Sequence, residues 1–436
     1  MPIINSKRFN INSLKKQISF NKPSNQKFSF EILFTLLIIL GIPLNLYKNR
    51  FYDNSWTVGE WLISYAGGFV RRGLPGELIH LISENFQISP ISLVWFVCIF
   101  SIIFLGIIIL YFGNKYFETS FLLSQVILLA PISEDFFIRK DIFLVLLFGL
   151  TLFTFQKTFQ GILNKYNCII IINILSIIAI LSHESFGIWG LPSITLILFI
   201  YERSQRRNLL ASFLYSIFSL LPTAISFLLC WHFKGNSEQS LMIHQSWQNL
   251  SYILSSKDLL NAPNPDGAIA AIGWGTSQVF TSTLLRKFNL NIFWHPGMWL
   301  ITIYLVMKLF IGYKKDKYQE AKRAVLCFQL LAFIPMFLFV DIGRWIFLWM
   351  STSVLLFSFF VKLFGIDNLR DISLSLKGSN LLPKIIPSIK SYSNYKIILL
   401  MIGIPHCCWS MGRYLISNPI GFSIKNLIFY TKILFF

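Results

Sequence analysis

The chain has 436 residues, of which 55% are hydrophobic and only 13% charged, and it carries a formal net charge of +19. Apolar windows of bilayer length make this a membrane protein rather than a string of soluble domains. The basic residues are not gathered into a soluble basic domain, which excludes nucleic acid as the expected partner.

Residues 1–29 form a polar, basic tail with Lys7, Arg8, Lys15, Lys16, Lys22 and Lys27, and such a tail is expected to stay in the cytoplasm. No cleavable signal is expected, because the first apolar run begins only near Phe30 and no small-residue cleavage site follows it. Apolar runs read as spans lie at roughly 30–47, 90–112, 119–133, 142–156, 168–182, 186–201, 209–232, 297–312, 324–340, 345–364 and 396–412. A weaker run at 415–436 contains Lys425 and Lys432 and is suited to lying on the membrane. The expected fold is all-α: one transmembrane domain over 30–436, a polytopic helix bundle of about eleven to twelve spans. Cys98, Cys168, Cys230, Cys327, Cys407 and Cys408 lie in or beside these runs without a CxxC pair and read as buried small hydrophobes.

Orientation follows from the loops. With the N-terminus inside, alternate loops carry Lys115, then Lys157 and Lys165, then Arg203, Arg206 and Arg207, and the intervening loops hold most of the acids. This is the positive-inside pattern of a plasma (inner) membrane protein, and it gathers the candidate chemical residues on the outer face.

The first outer loop, 48–89, contains Gly67-Gly68-Phe69-Val70-Arg71-Arg72-Gly73-Leu74-Pro75-Gly76-Glu77. Its glycines permit a tight turn, and Pro75 suits the first turn of a following helix. Two arginines beside a helix N-terminus can cradle a phosphate or pyrophosphate; the plain alternative is that they snorkel to lipid headgroups. Before the turn, Val58, Trp61, Leu62 and Tyr65 have helical spacing, which predicts an interfacial helix with Glu60 off its apolar face. Asp53 and Glu60 are the carboxylates nearest the turn, and either could take a proton from an acceptor hydroxyl. Turn chemistry is the plain role for Asp53, and a solvated face for Glu60.

Glu134-Asp135, followed by Arg139-Lys140-Asp141, reads as a general base or a ligand for a divalent cation (Mg or Mn), or else as an ion-pair network closing two span ends. His183-Glu184 stands where two spans meet and can bind a polar substrate or shuttle a proton, the plain alternative being a hydrogen-bonded interfacial histidine; no second histidine follows at HExxH spacing. The long outer loop, 233–296, carries Trp274 and Trp294 among turn residues and suggests a cover. Asp341 and Arg344 are spaced to pair on one helix face, either as a plain span-end salt bridge beside Trp345 or with Arg344 presented to a sugar phosphate and Asp341 steadying it.

The basic tail, the many spans, the first outer loop with carboxylates and the ionisable motifs on one face resemble the GT-C superfamily. These are polytopic glycosyltransferases that use polyprenyl-phosphate sugars. Phe69-Val70-Arg71-Arg72-Gly73 and Asp341-Ile342-Gly343-Arg344-Trp345 are also similar to motifs of multi-span proteins of surface-polysaccharide assembly. The resemblance implies an acid of the first outer loop, Asp53 or Glu60, as base or metal ligand, although the usual adjacent acid pair stands one loop later, at Glu134-Asp135. It implies a lipid-linked sugar donor, a glycan or lipid acceptor and a membrane-lipid setting. A polysaccharide polymerase and a lipid-linked sugar transporter or flippase are the alternatives.

Overall fold

A computed structural model of the chain describes residues 29–36, 38, 54–133, 138–205, 208–250, 262–274, 294–313, 318–338, 341–375, 388–406 and 409–435. Regular structure among them is helical, apart from an isolated bridge between Tyr313 and Ile389. Five helices are long and apolar enough to cross a membrane, or six if a bent pair counts as one span.

In the segment 54–89, α1 (Val58–Trp61) and α2 (Gly73–Phe86) flank the glycine-arginine turn. The expected interfacial helix is a single turn and is buried: Val58, Glu60, Trp61 and Leu62 are all within the core. What pulls it in is a hydrogen bond from Trp61 Nε1 to the Ile138 carbonyl. The helix with the exposed apolar stripe is α2, whose Leu78, Leu81, Ile82 and Phe86 face outward. Its inner face packs so closely that a Cβ on Gly76 would lie 2.0 Å from the Ile63 carbonyl oxygen, so only glycine fits.

The helices long and apolar enough to cross are α3 (Pro90–Gly113), α6 (Asp141–Phe159), α7 (Lys165–Ser182), α8 (Ser185–Ser204) and the first part of α15 (Ile342–Gly365). Between α3 and α6 the chain forms α4 (Thr119–Leu122) and α5 (Leu129–Ser133). The apolar run 119–133 is therefore two short helices and not a straight span. Ser124 breaks it by turning its hydroxyl onto the Phe121 carbonyl, while its own carbonyl receives the amides of Ile127 and Leu129. α9 (Leu209–Ser219) and α10 (Leu221–His232) meet at a 55° bend. Pro222 cannot donate an amide to continue the helical ladder there, and beside the bend Asn173 of α7 donates to the Ser219 carbonyl at 2.8 Å.

α11 (Ser237–Gln248) and α12 (Gly267–Ala270) form a layer over the segment 54–89. Trp247 Nε1 donates to the Leu62 carbonyl at 2.8 Å, Gln239 Nε2 to the Gly67 carbonyl at 3.1 Å and the Ala268 amide to the Ser55 carbonyl at 2.9 Å. The remaining helices are α13 (Trp294–Ile311), α14 (Gln319–Phe333), α16 (Tyr392–Met401), α17 (Met411–Ser417) and α18 (Pro419–Phe435). The runs expected at 396–412 and 324–340 are thus shorter or broken. At the centre stands α15, nearly all of whose side chains up to Val361 are buried against α6, α14 and α3.

Candidate functional site

Four helices begin at the same end of the bundle: α2 at Gly73, α6 at Asp141, α8 at Ser185 and α15 at Ile342. Their free amides and dipoles favour negative charge, and three of the starts carry an acid at or beside them, Asp141, Glu184 and Asp341. Arg72 caps α2 in the left-handed conformation at φ 67°. That geometry costs a non-glycine residue about 1–2 kcal/mol. Fixed contacts hold it: the Arg71 amide donates to the Phe233 carbonyl at 3.0 Å, and Lys140 Nζ donates to the Arg72 carbonyl at 3.0 Å. At the start of α15, Gly343 lets the helix lie against Pro405, where a Cβ would come within 2.0 Å of a carbonyl oxygen.

The side chains from these helix ends form one ionic cluster. Glu60, 1% exposed, lies at its centre, with Arg72 Nη1 at 3.6 Å, Arg139 Nη1 at 3.4 Å, Arg344 Nη2 at 3.8 Å and His183 Nε2 at 3.3 Å. Glu184 receives a fork from Arg72, Nη2 at 2.6 Å and Nε at 2.8 Å, and a longer contact from Arg71 Nη1 at 3.4 Å. Arg344 is bound on three sides: Nε and Nη2 bond Asp141 at 2.8 and 3.1 Å, and Nη1 bonds Asp341 at 2.9 Å. Lys140 is wholly buried and bonds the Arg72 and Ser182 carbonyls, the second at 3.2 Å.

Burial alone would push the Glu60 carboxyl up. Arg344, the hydrogen bond from His183 and Arg139 outweigh it and hold the group well below the usual carboxylate range. Glu184 likewise resists its burial through Arg72, His183 and Arg71. Burial and the nearby Arg72 pull His183 below its ordinary value. The Ser185 amide donates to His183 Nδ1 at 3.2 Å, which assigns the ring proton to Nε2, facing Glu60. Burial brings Lys140 down to about 7.

The cluster has a floor and a rim. Glu60, Asp141, Lys140, His183 and Arg344 are sealed from solvent, while Arg71, Arg72 and Arg139 are 24%, 26% and 11% exposed. The guanidiniums differ in what they have left to give. Arg344 commits three nitrogens to acids, whereas Arg139 has a buried Nε without a hydrogen-bond partner and Arg71 makes one long contact. Ser185 Oγ is also buried and unpartnered. Free donors around a cationic rim suit an anionic, oxygen-rich ligand.

Glu60, Arg71, Arg72, His183, Glu184, Asp341 and Arg344, widely separated in sequence, are therefore brought together. Asp53, Glu134 and Asp135 lie outside the described residues. Arg139, Lys140, Asp141 and His406 join the cluster without having been singled out as site residues. The visible signal for the first three was a charged triplet opening an apolar helix. No group of three or more metal-ligand side chains occurs among the described residues, and Glu60 is ringed by cations that a divalent ion would have to displace. The described donors thus do not fit a metal.

Fold and site together define a helical bundle, several of whose helices are long and apolar enough to cross a membrane, with a buried ionic centre at one end. Comparison of the chain with protein-family models, curated proteins and solved structures finds no match.

Proposed function

We propose that this chain is a membrane glycosyltransferase that takes its sugar from a polyprenyl-phosphate carrier at the extracytoplasmic face, in surface-polysaccharide assembly. The observation that carries the reading is the rim of Arg71, Arg72 and Arg139 above converging helix N-termini, with hydrogen-bonding capacity left on Arg71 and Arg139. In the transfer, an acceptor hydroxyl oxygen attacks the anomeric carbon and the bond from that carbon to the phosphate oxygen breaks. The lipid phosphate leaves with the electron pair, and the rim guanidiniums stabilise it as its charge grows.

Glu60 organises the arginines in this scheme. A carboxylate held so far below its ordinary range is a weak base, so the hydroxyl proton goes to an acid of the neighbouring segments, Asp53, Glu134 or Asp135. Arg344 and Asp341 brace the floor, and His183 and Glu184 set the angle of Arg72. In this reading the chain crosses about eleven to twelve times, five or six of the crossings being the long apolar helices and the rest the other apolar runs of the sequence, with the N-terminus cytoplasmic and the basic ends of α6, α7 and α8 inside, at Lys157, Lys165 and Arg203. A polymerase joining lipid-linked repeat units would use the same rim. A transporter is less well served, since transport sites usually lie near mid-membrane and this cluster lies at helix ends.

The test is sugar transfer by purified protein in liposomes supplied with polyprenyl-phosphate sugars and a glycan acceptor. Product formed by the wild type and reduced at least tenfold by Arg71→Ala or Arg139→Ala, at unchanged protein level, supports the reading. Movement of unreacted donor across the vesicle without product would replace it with transport.

A further inference from the structure

Lys140 has no role in the transfer as written, yet it is fully buried at the heart of the cluster. Its amine reaches two acceptors, the Arg72 carbonyl at 3.0 Å and the Ser182 carbonyl at 3.2 Å, and lies 5.8 Å from the centre of the Trp61 ring. A neutral amine has two N–H donors, which satisfies both carbonyls without a positive charge. The groups facing it are Glu60 on α1, Arg72 at the turn, His183 and Glu184 between α7 and α8, and Arg139 and Asp141 beside it.

Their charges balance without the lysine. Among the described residues the cluster holds four guanidiniums (Arg71, Arg72, Arg139, Arg344) and four carboxylates (Glu60, Glu184, Asp141, Asp341). Both histidines of the cluster, His183 and His406, are held below their ordinary range and so are neutral at pH 7. An anion seated on the rim leaves this balance one charge short, and a buried excess charge is expensive in a low dielectric.

We propose that Lys140 is a positioning residue whose proton is linked to the ligand: it takes up a proton when a singly charged phosphate ester seats on Arg71, Arg72 and Arg139. The neutral amine holds the Arg72 corner in the empty site, and the ammonium holds the same corner and neutralises the occupant. The inference rests on the lipid-phosphate reading above. A lysine brought close to neutrality by burial is ready to change state in this way.

The probe is a farnesyl methyl phosphodiester, whose single charge does not titrate near neutrality, added to purified protein in detergent. Titration calorimetry in two buffers of different ionisation enthalpy counts the protons taken up. At pH 7.5–8 the wild type is expected to absorb a fraction of a proton on binding, and its affinity to fall several-fold between about pH 7 and 8.5, within the linkage limit of tenfold per unit for one proton. Lys140→Met abolishes the uptake and flattens the profile. Lys140→Arg, charged throughout, binds with no uptake at any of these pH values. Binding by the wild type without proton uptake, or uptake that survives in Lys140→Met, overturns the linkage and leaves the lipid-phosphate reading intact. No binding at any pH sinks that reading and the linkage with it. Trp61 emission in ligand-free protein adds an independent check: a titration near pH 7 absent from both Lys140→Met and Trp61→Phe is expected, and a flat wild-type signal counts against the proposal.

Discussion

Replacing Glu60 by glutamine removes one charge and keeps the shape, and it tests the claim that this carboxylate holds the arginines together. Three guanidinium nitrogens lie 3.4, 3.6 and 3.8 Å from its oxygens. At an effective dielectric near 20, each such pair is worth about 4–5 kcal/mol in gross attraction. Most of that is already offset by desolvation of several kcal/mol per ion, so the net loss on breaking the network is about 3–5 kcal/mol. The assay is thermal unfolding of purified protein in detergent, followed by light scattering and tryptophan emission. Glu60→Gln should lower Tm by roughly 5 °C or more. Adding Arg344→Met should recover part of the loss, by about 1–3 kcal/mol of coupling, because the uncompensated charge leaves as well. A Glu60→Gln protein as stable as the wild type would mean that the arginines do not depend on this carboxylate, and the account of the floor would fail.

Arg71→Ala should leave Tm within about 1 °C, as befits a partly exposed group with one long contact, while weakening phosphodiester binding at least tenfold; a stability loss as large as that of Glu60→Gln would contradict the division into rim and floor. Gly343→Ala puts a methyl group against the Pro405 carbonyl, and the folded protein recovered should fall sharply, read by size-exclusion yield. Asn173→Ala leaves the Ser219 carbonyl and the Thr223 hydroxyl without their partner and should cost about 1–3 kcal/mol in unfolding free energy, measured against urea. Glu60 and Glu184 have folded pKa values depressed below their unfolded ones. Their stabilisation is therefore fully present above about pH 4.3 and is lost as pH falls through the lowered folded values. A Tm that already drops between pH 7 and 5, and drops equally in Glu60→Gln, would show that other groups govern acid stability.

The glycine-arginine turn and the helix after it, α2, were legible from Pro75 and the glycines, because turn and capping chemistry is local. The Asp341–Arg344 pair was legible too, because helical spacing alone sets it at one face. The burial of Glu60 was not. Its neighbours in sequence give an amphipathic pattern that suits an interface equally well, and the deciding contact, Trp61 to the Ile138 carbonyl, spans 77 residues. The break in the run at 119–133 was not legible, because hydropathy does not register a serine hydroxyl bonding the carbonyl three residues before it. Lys140 looked like one more span-end charge; only the tertiary fold supplies the two carbonyls that make it a buried group.

The bond between Asp141 and Arg344 joins residues 203 positions apart, and this has a consequence for biogenesis. During synthesis at the translocon, Glu60 and Asp141 emerge long before the guanidinium that completes their shell. Until α15 is released, the nascent bundle holds acids without their final counter-ion, Arg344, and unpaired buried charge is costly. Chains truncated before Ile342 should therefore be short-lived in the cell, and the ionic centre closes as one of the last acts of assembly.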